Sequence, residues 1–222
     1  MVDQPLPAGT APGLLDIVLR GRPDRATLFQ QAGLDADTVA GGDGHLTSAQ
    51  LDALLGTAFT QAGDPLFGLR VGRANHYRDL GPLGALMAAS ETLEQALLVL
   101  LRYRELMLPY LALALRREKH QCTLTVSGGE ALAVTHTRAH NDLLIATLVA
   151  LGHSLLGRRM PIQRVAFRHP CPPDQELDEY RSFFRCALQF DQPANALVFS
   201  PALLGHSLPA ADTARRRDLE RT

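Results

Sequence analysis

The spacing of the apolar residues changes near Pro109, and this change constrains the fold more than any other feature of the sequence. Upstream of it, residues 93–101 carry Leu and Ala at helical intervals. Downstream, residues 122–127 alternate apolar side chains with Thr and Ser, which is typical of a half-buried strand. We therefore predict an α+β fold, with a helical N-terminal half followed by a small mixed β-sheet with covering helices.

Helix start signals recur along the N-terminal half. Thr47 is followed three residues later by Gln50, and Thr92 is followed in the same way by Gln95. Each pair predicts a capping box, in which two side chains satisfy backbone N–H groups at a helix start. Gly63 follows the first of these helices and predicts its end, because glycine readily adopts the left-handed conformation found there.

The C-terminal half mixes strand and helix patterns. We predict strands over 110–117, 121–127, 131–136, 162–168, 187–190 and 196–199, and helices over 139–156 and 174–185. With 222 residues the chain is long enough for one large domain, so these elements are expected to share one core.

Charge and cysteine content narrow the class of protein. The net charge is -1, so positive and negative side chains nearly balance, and the overall charge gives no argument for binding nucleic acid. Three scattered cysteines without a CxxC pair indicate free thiols in a reducing compartment. The first residues show no signal-peptide pattern, and no apolar run approaches the roughly 20 residues of a membrane span. We therefore expect a cytoplasmic protein that does not associate with membranes.

Four groups of residues, taken in order, resemble a known family. They are Asp64-Pro65 with Gly68-Leu69-Arg70 and Gly72; Leu80-Gly81 with Gly84; Thr92-Leu93 with Ala96-Leu97 and Arg102-Tyr103; and Phe167, His169-Pro170, Tyr180, Cys186, Phe190 and Asn195-Ala196-Leu197. Their order and spacing resemble the N-terminal effector-binding region, called arabinose-binding-like, of bacterial AraC-type transcription regulators. The resemblance covers most of residues 10–209.

The resemblance implies a domain organisation and a function. Residues 1–12 form a flexible N-terminus, and 13–209 form the effector-binding and dimerisation domain, with 13–109 mainly helical and 110–209 α+β. Residues 210–222 begin an interdomain linker, and the DNA-binding helix-turn-helix domain that normally follows is absent. The implied partners are a small effector of unknown identity, DNA only through that absent domain, and a second copy of the chain, docked through 139–156 or 174–185.

Arginine, tyrosine and histidine side chains at two predicted helix ends form the candidate effector site. Arg102, Tyr103 and Arg104 come at the end of an apolar helix, whereas His136 and His140 come where a new helix begins. If the two ends meet over the sheet, the side chains would orient an acidic or hydroxylated ligand. The alternative is that the arginines are surface charges and that Tyr103 packs at the core edge.

An enzyme is the second hypothesis, either metal-dependent or hydrolytic. His136 and His140 are four residues apart, a spacing that could present two imidazoles to a metal, but no third ligand is near in sequence. The simpler interpretation is two partly exposed histidines at a helix start. No nucleophile, base and orienting residue can be grouped, so we expect no catalytic residues, no metal, no cofactor and no enzymatic activity.

A self-sufficient DNA-binding protein is the third hypothesis. Residues 25–40 have the outline of a helix-turn-helix, but the second helix would present Asp35 and Asp37 to the phosphates. The basic run Arg215–Arg217 is diluted by acidic neighbours and is more simply part of a solvated linker helix. We therefore expect no DNA-binding residues in this chain.

Overall fold

A computed structural model describes residues 25–31, 33–34, 47–107, 110–129 and 132–221. The predicted flexible segment 1–12 and most of the predicted second helix of 25–40 lie outside these residues. Eight α-helices lie within them: α1 Arg25–Gln31, α2 Ser48–Ala62, α3 Phe67–Arg73, α4 Gly81–Ala88, α5 Leu93–Met107, α6 Arg138–Leu156, α7 Asp174–Phe184 and α8 Thr213–Leu219. Five strands follow the helical part or alternate with its last helices: β1 Leu111–Arg117, β2 Cys122–Gly128, β3 Arg164–Ala166, β4 Ala187–Gln189 and β5 Asn195–Phe199. The predicted α+β class is confirmed.

The predicted helix caps form, with one difference in detail. At α2 the Thr47 hydroxyl accepts a hydrogen bond from the Gln50 N–H, and the Gln50 side chain accepts one from the Thr47 N–H. At α5 the Thr92 hydroxyl accepts from the Gln95 N–H, but the Gln95 side chain accepts from Glu91 instead of Thr92. Both arrangements satisfy N–H groups that a helix start leaves without partners.

The five strands form one mixed sheet in the order β1-β2-β5-β3-β4. All neighbours are antiparallel except β3 and β4, which run parallel. β5 is buried along its whole length, whereas β1 forms one edge and exposes alternate residues. Both faces of the sheet are therefore covered at β5, whereas one face of β1 is open to solvent.

The segment 131–136 is not the strand predicted from its sequence. Residues Ala133–His136 form a 3-10 helix, in which the Thr135 hydroxyl donates to the carbonyls of Leu132 and Gly129. β2 is already paired with β1 on one side and β5 on the other, so no free edge remains beside it. The chain instead turns directly into α6.

Helix α6 is the central element of the fold. Among the described residues it is the one helix long and apolar enough to cross a membrane by length and composition, but most of it is buried inside the protein. It packs closely against α3 through two glycines. A Cβ atom at Gly68 would lie 1.8 Å from the Ala139 carbonyl oxygen, and one at Gly72 would lie 2.6 Å from the Ala146 Cβ.

Helix α8 is held to the body of the domain by polar contacts. The Asp212 N–H donates to the Ala89 carbonyl at the end of α4 over 3.0 Å, and the Arg216 Nη1 donates to the Gln95 side chain of α5 over 2.5 Å. No residue of α8 is fully buried. The helix is therefore docked by these hydrogen bonds and by Leu219, which packs partly buried against the core.

Candidate functional site

The first turns of α6 carry three consecutive buried polar side chains. His140, Asn141 and Asp142 have 0%, 3% and 0% of their surface exposed. Burial of a carboxylate is costly unless hydrogen bonds and opposite charges replace its hydration. The surroundings of Asp142 therefore show how the fold tolerates this charge.

Asp142 has three partners from three different parts of the chain. Its Oδ1 lies 3.0 Å from the Nε2 of His169, in the loop after β3. Its Oδ2 accepts a hydrogen bond from the hydroxyl of Tyr180 on α7, and it lies 3.4 Å from the Nε of Arg138. The carboxylate thus joins the start of α6 to α7 and to the loop after β3.

His169 is hydrogen-bonded at both ring nitrogens. Its Nε2 faces Asp142, and its Nδ1 lies 2.8 Å from the carbonyl oxygen of Pro170. Both neighbours are acceptors, so an imidazolium that carries two N–H groups satisfies both.

Arg138 extends the cluster towards the surface. Its Nε donates to the Tyr180 hydroxyl over 2.9 Å, and its Nη1 donates to Glu176 over 2.5 Å. Burial and the neighbouring Asp142 raise the pKa of Tyr180, which keeps the phenol protonated as a donor. Burial opposes the charge of Arg138, but its hydrogen bonds to Tyr180 and Glu176 outweigh burial and raise its pKa. The Nη2 of Arg138 is buried and has no hydrogen-bond partner among the described residues.

A pair of asparagines links the same end of α6 to the sheet. The Asn195 Nδ2 on β5 donates to the Asn141 Oδ1 over 2.6 Å, and the Asn195 Oδ1 accepts from the backbone N–H of Arg168 over 3.0 Å. The Asn141 Nδ2 donates back to the Thr137 carbonyl over 2.8 Å. Both side-chain amides are thereby fixed in orientation.

An open cleft of about 270 Å³ lies over this cluster. We call it the α6 cleft, and its lining residues are His136, Arg138, Asn141, Arg168, His169 and Pro170. The lining combines hydrogen-bond donors, two histidine rings and a proline. A concave site with a few fixed polar groups is typical of small-molecule binding.

Two of the other cavities within the described residues can be compared with it. One of about 330 Å³ lies between α4 and α8 and includes Arg78, Ala210 and Arg215 in its lining. The other, of about 20 Å³, lies between α5, α6 and the sheet, and apolar side chains line it. The second has room for little more than one water molecule. Of these three cavities, the α6 cleft is the one built over a buried polar cluster.

The three residues predicted at the end of α5 lie outside the α6 cleft. Arg102 is exposed, with its guanidinium 5.3 Å from the centre of the Tyr103 ring, and Tyr103 packs against the core. Arg104 donates to the Leu111 carbonyl over 3.4 Å and forms an ion pair with Glu105 at 2.9 Å. None of these three residues lines the α6 cleft.

The two predicted histidines occupy different environments. His136 is exposed and lines the α6 cleft, whereas His140 is fully buried, with its Nε2 3.4 Å from the Tyr110 hydroxyl. The expectation of two partly exposed histidines is wrong for His140, and burial lowers its pKa to about 4. The Nδ1 of His140 has no hydrogen-bond partner in the described part of the chain. That part also contains no group of three or more metal-ligating side chains.

Sequence reasoning missed most of the cleft. Arg138, Asn141, Asp142 and Arg168 were not predicted, although His169, Tyr180 and Asn195 belong to the groups that carry the family resemblance. The missed signal is the polar triplet 140–142 at the start of an otherwise apolar helix. Such a triplet has to find buried partners if the helix is central.

Comparison with known proteins finds one matching family and two similar proteins. The family model described as the N-terminal arabinose-binding domain of AraC transcription regulators matches residues 23–208. The chain is 27% identical to the ornithine utilization regulator of Pseudomonas aeruginosa over 210 residues, which cover 94% of the chain and 61% of that protein. The crystal structure of the transcriptional regulator CdpR from Pseudomonas aeruginosa has the same fold, with a TM-score of 0.64, 16% identity, and coverage of 87% of the chain and 59% of CdpR. The chain thus spans about three fifths of the length of each relative.

Proposed function

The chain belongs to the family of N-terminal arabinose-binding domains of AraC transcription regulators, and from this we propose that it senses a small effector bound in the α6 cleft. The observation that carries the proposal is the position of this cleft directly over the buried Asp142 cluster. Hydrogen bonds hold Arg138, Asn141 and His169 before any ligand arrives. Preorganised polar groups lower the entropic cost of binding.

The proposed site differs in part from the one predicted from the sequence. Of the five predicted residues, His136 lines the α6 cleft, and it is the member that we retain in the proposed binding surface. Arg104 and His140 contact Leu111 and Tyr110, at the start of β1, so any effect of theirs on binding would pass through that strand. A role for Arg102 and Tyr103 stays a prediction.

Helix α6 offers a route from the cleft to the C-terminal helix. It begins beside the cleft at Arg138 and ends at Leu156, about 28 Å away for 19 helical residues. A Cβ atom at Gly157 would lie 3.2 Å from the Pro209 ring, a few residues before α8. We propose that effector binding shifts the contacts of α8 and thereby controls a DNA-binding segment that follows in the intact regulator.

The remaining features of the proposal concern partners and location. Relatives that match the chain are transcription regulators, which favours a cytoplasmic, non-catalytic role over an enzyme or a self-sufficient DNA-binding protein. A homodimer would use α7 in preference to α6, because α6 is largely buried within its own chain. The family's arabinose label does not assign the effector. The name of the ornithine utilization regulator makes basic amino acids worth including among the candidates.

A thermal-shift screen with matched variants tests the proposal. Amino acids, organic acids, amines and sugars are screened, because a ligand that binds only the native state raises the melting temperature. His136→Trp fills the α6 cleft, and Ala210→Trp fills the cavity between α4 and α8 as a control. A genuine effector stabilises the wild type and Ala210→Trp but not His136→Trp. Undiminished stabilisation of His136→Trp would contradict the proposed site.

A further inference from the structure

The chemical character of the α6 cleft points to a class of ligand, and this inference rests on the proposed function. No carboxylate is among the residues that line the cleft. Two acids contact residues of the lining: Asp142, which is fully buried, and Glu176, which pairs with Arg138. The lining itself therefore offers hydrogen-bond donors and positive charge, and these two neighbouring acids already have partners.

Arg138 adds positive charge to the wall of the cleft. Its Nε and Nη1 are used by Tyr180 and Glu176, and these bonds fix the plane of the guanidinium. Its Nη2 is buried and lacks a hydrogen-bond partner among the described residues, so it is closed to a ligand in the cleft. Arg138 therefore favours an anion through its charge, and the N–H groups that hold the anion have to come from another residue.

Arg168 provides the less compensated charge. The residue lines the cleft, and its backbone N–H is fixed by Asn195, but its guanidinium has no ion-pair partner in the described part of the chain. Arg138, by contrast, is paired with both Asp142 and Glu176. Arginine presents its N–H groups in a planar arrangement that matches a carboxylate.

The position of the cleft at the start of α6 adds to this preference. Arg138 and Asn141 lie in the first turn of the 19-residue helix, whose aligned peptide dipoles favour negative charge at this end. The field alone does not define a site, but here it acts in the same direction as the two arginines. A cleft of about 270 Å³ accommodates a ligand of the size of a small organic acid.

We propose that the α6 cleft binds a small organic carboxylate, with the carboxylate group held by the guanidinium of Arg168 beside the positive charge of Arg138. His136 and Pro170 then contact the remainder of the ligand. The carboxylate can belong to a simple organic acid or to an amino acid, because both offer the same pair of oxygens to Arg168.

Titrations followed by amide NMR spectra of the whole chain test this proposal. The probes are pentanoate, its neutral isostere pentanamide, and L-norvaline, which adds an ammonium group to the same five-carbon skeleton. Arg168→Gln removes the proposed anchor, and Arg78→Gln makes the same charge change in the cavity between α4 and α8. NMR detects millimolar binding, so weak probes suffice.

We expect pentanoate or L-norvaline to shift the amide signals of the α6 cleft, and pentanamide to bind at least about tenfold more weakly. Arg168→Gln should weaken carboxylate binding by about tenfold or more, whereas Arg78→Gln should leave it unchanged. The stronger of the two carboxylates identifies an organic acid or an amino acid as the source. Binding of pentanamide equal to that of pentanoate, or no loss in Arg168→Gln, overturns the proposal.

Failure of all three probes also overturns the carboxylate proposal, since a bare carboxylate should suffice for detectable binding. The proposed function is tested separately by the screen of chemically diverse compounds. A neutral sugar or an amine that stabilises the wild type but not His136→Trp would leave the sensor role intact and exclude the carboxylate class.

Discussion

The Oδ1 of Asp142 lies 3.0 Å from the Nε2 of His169, and both side chains are almost completely buried. The contact joins α6 to the loop after β3 across 27 residues of sequence. His169 and the adjacent Pro170 line the α6 cleft. The buried charge therefore holds the wall of the proposed effector site in place.

Substitution of Asp142 tests the contribution of this buried charge to stability. Asp142→Asn leaves His169, Tyr180 and Arg138 facing an amide in place of a carboxylate. Because breaking a buried ion pair leaves the remaining charge uncompensated, we expect the free energy of unfolding to fall by about 3 kcal/mol. Urea denaturation followed by circular dichroism measures this change.

The control for that substitution is Asp178→Asn on α7. Asp178 is 80% exposed and pairs with Arg181 on the surface. Exposed pairs contribute little, so the control should change stability by less than about 0.5 kcal/mol. Equal effects of the two substitutions would show that the Asp142 cluster has no special role in the fold.

Two glycine substitutions test the close contact between α3 and α6. In Gly68→Ala the new Cβ would meet the Ala139 carbonyl oxygen, and backbone cannot move aside as a flexible side chain can. We expect a loss of about 3 kcal/mol, as for strongly overpacked positions. Gly56→Ala in α2 places its Cβ in open space and should gain about 0.5–1 kcal/mol from higher helix propensity. Thermal unfolding of both variants gives the comparison, and a neutral Gly68→Ala would contradict the packing.

The buried His140 predicts how stability depends on pH. Its pKa falls from 6.5 to about 4 on folding because burial disfavours the imidazolium. The unfolded chain therefore takes up a proton below its own pKa while the folded chain does not, and stability is lost as the pH falls from 6.5 towards 4. Between about pH 7 and about pH 5, His140 should lower the free energy of unfolding by about 2 kcal/mol.

The variant His140→Gln separates this contribution from others. It removes the titrating group, so the loss of stability between about pH 7 and about pH 5 should shrink by most of that amount. Some dependence of stability on pH should remain, because the pKa of His153 is also lowered, mainly by burial and to a smaller extent by the charge of Arg159. An unchanged pH dependence in urea titrations of His140→Gln would contradict the burial of this side chain.

Helix α8 should release from the body when its cap is removed. The Asp212 side chain accepts a hydrogen bond from the Arg215 N–H at the start of the helix. Asp212→Ala loses this cap, at a cost of about 1 kcal/mol, and weakens the local structure around Arg215–Arg217. Trypsin should then cleave after these arginines faster than in the wild type. Cleavage at the wild-type rate would show that α8 does not depend on its cap.

The fold class and most elements could be predicted from local patterns. The helix starts at Thr47 and Thr92 depend on hydrogen bonds between residues three positions apart, so the sequence shows them directly. In β2, apolar residues on the buried face alternate with polar residues on the other face, and this pattern is also visible in the sequence. The 3-10 helix Ala133–His136 could not be predicted in this way. Its apolar residues are compatible with a strand. A strand is excluded only because β2 is already paired on both sides, with β1 and with β5.

The site was harder to predict because its contacts are tertiary. Asp142 reaches His169 over 27 residues and Tyr180 over 38, and no local period relates these positions. The burial of His140 was accessible, since Leu143 and Leu144 follow it at the three- and four-residue spacing of one helix face. Arg104 and His140, from the two helix ends expected to meet over the sheet, contact the neighbouring residues Leu111 and Tyr110, but neither lines the α6 cleft.

The most direct test of the account is a crystal structure of this chain with the strongest stabilising compound from the screen. The account predicts that the compound lies in the α6 cleft, with polar contacts to Arg168 and with the Asp142–His169 contact intact. A compound bound between α4 and α8, or in the apolar core, with the α6 cleft unchanged, would contradict it.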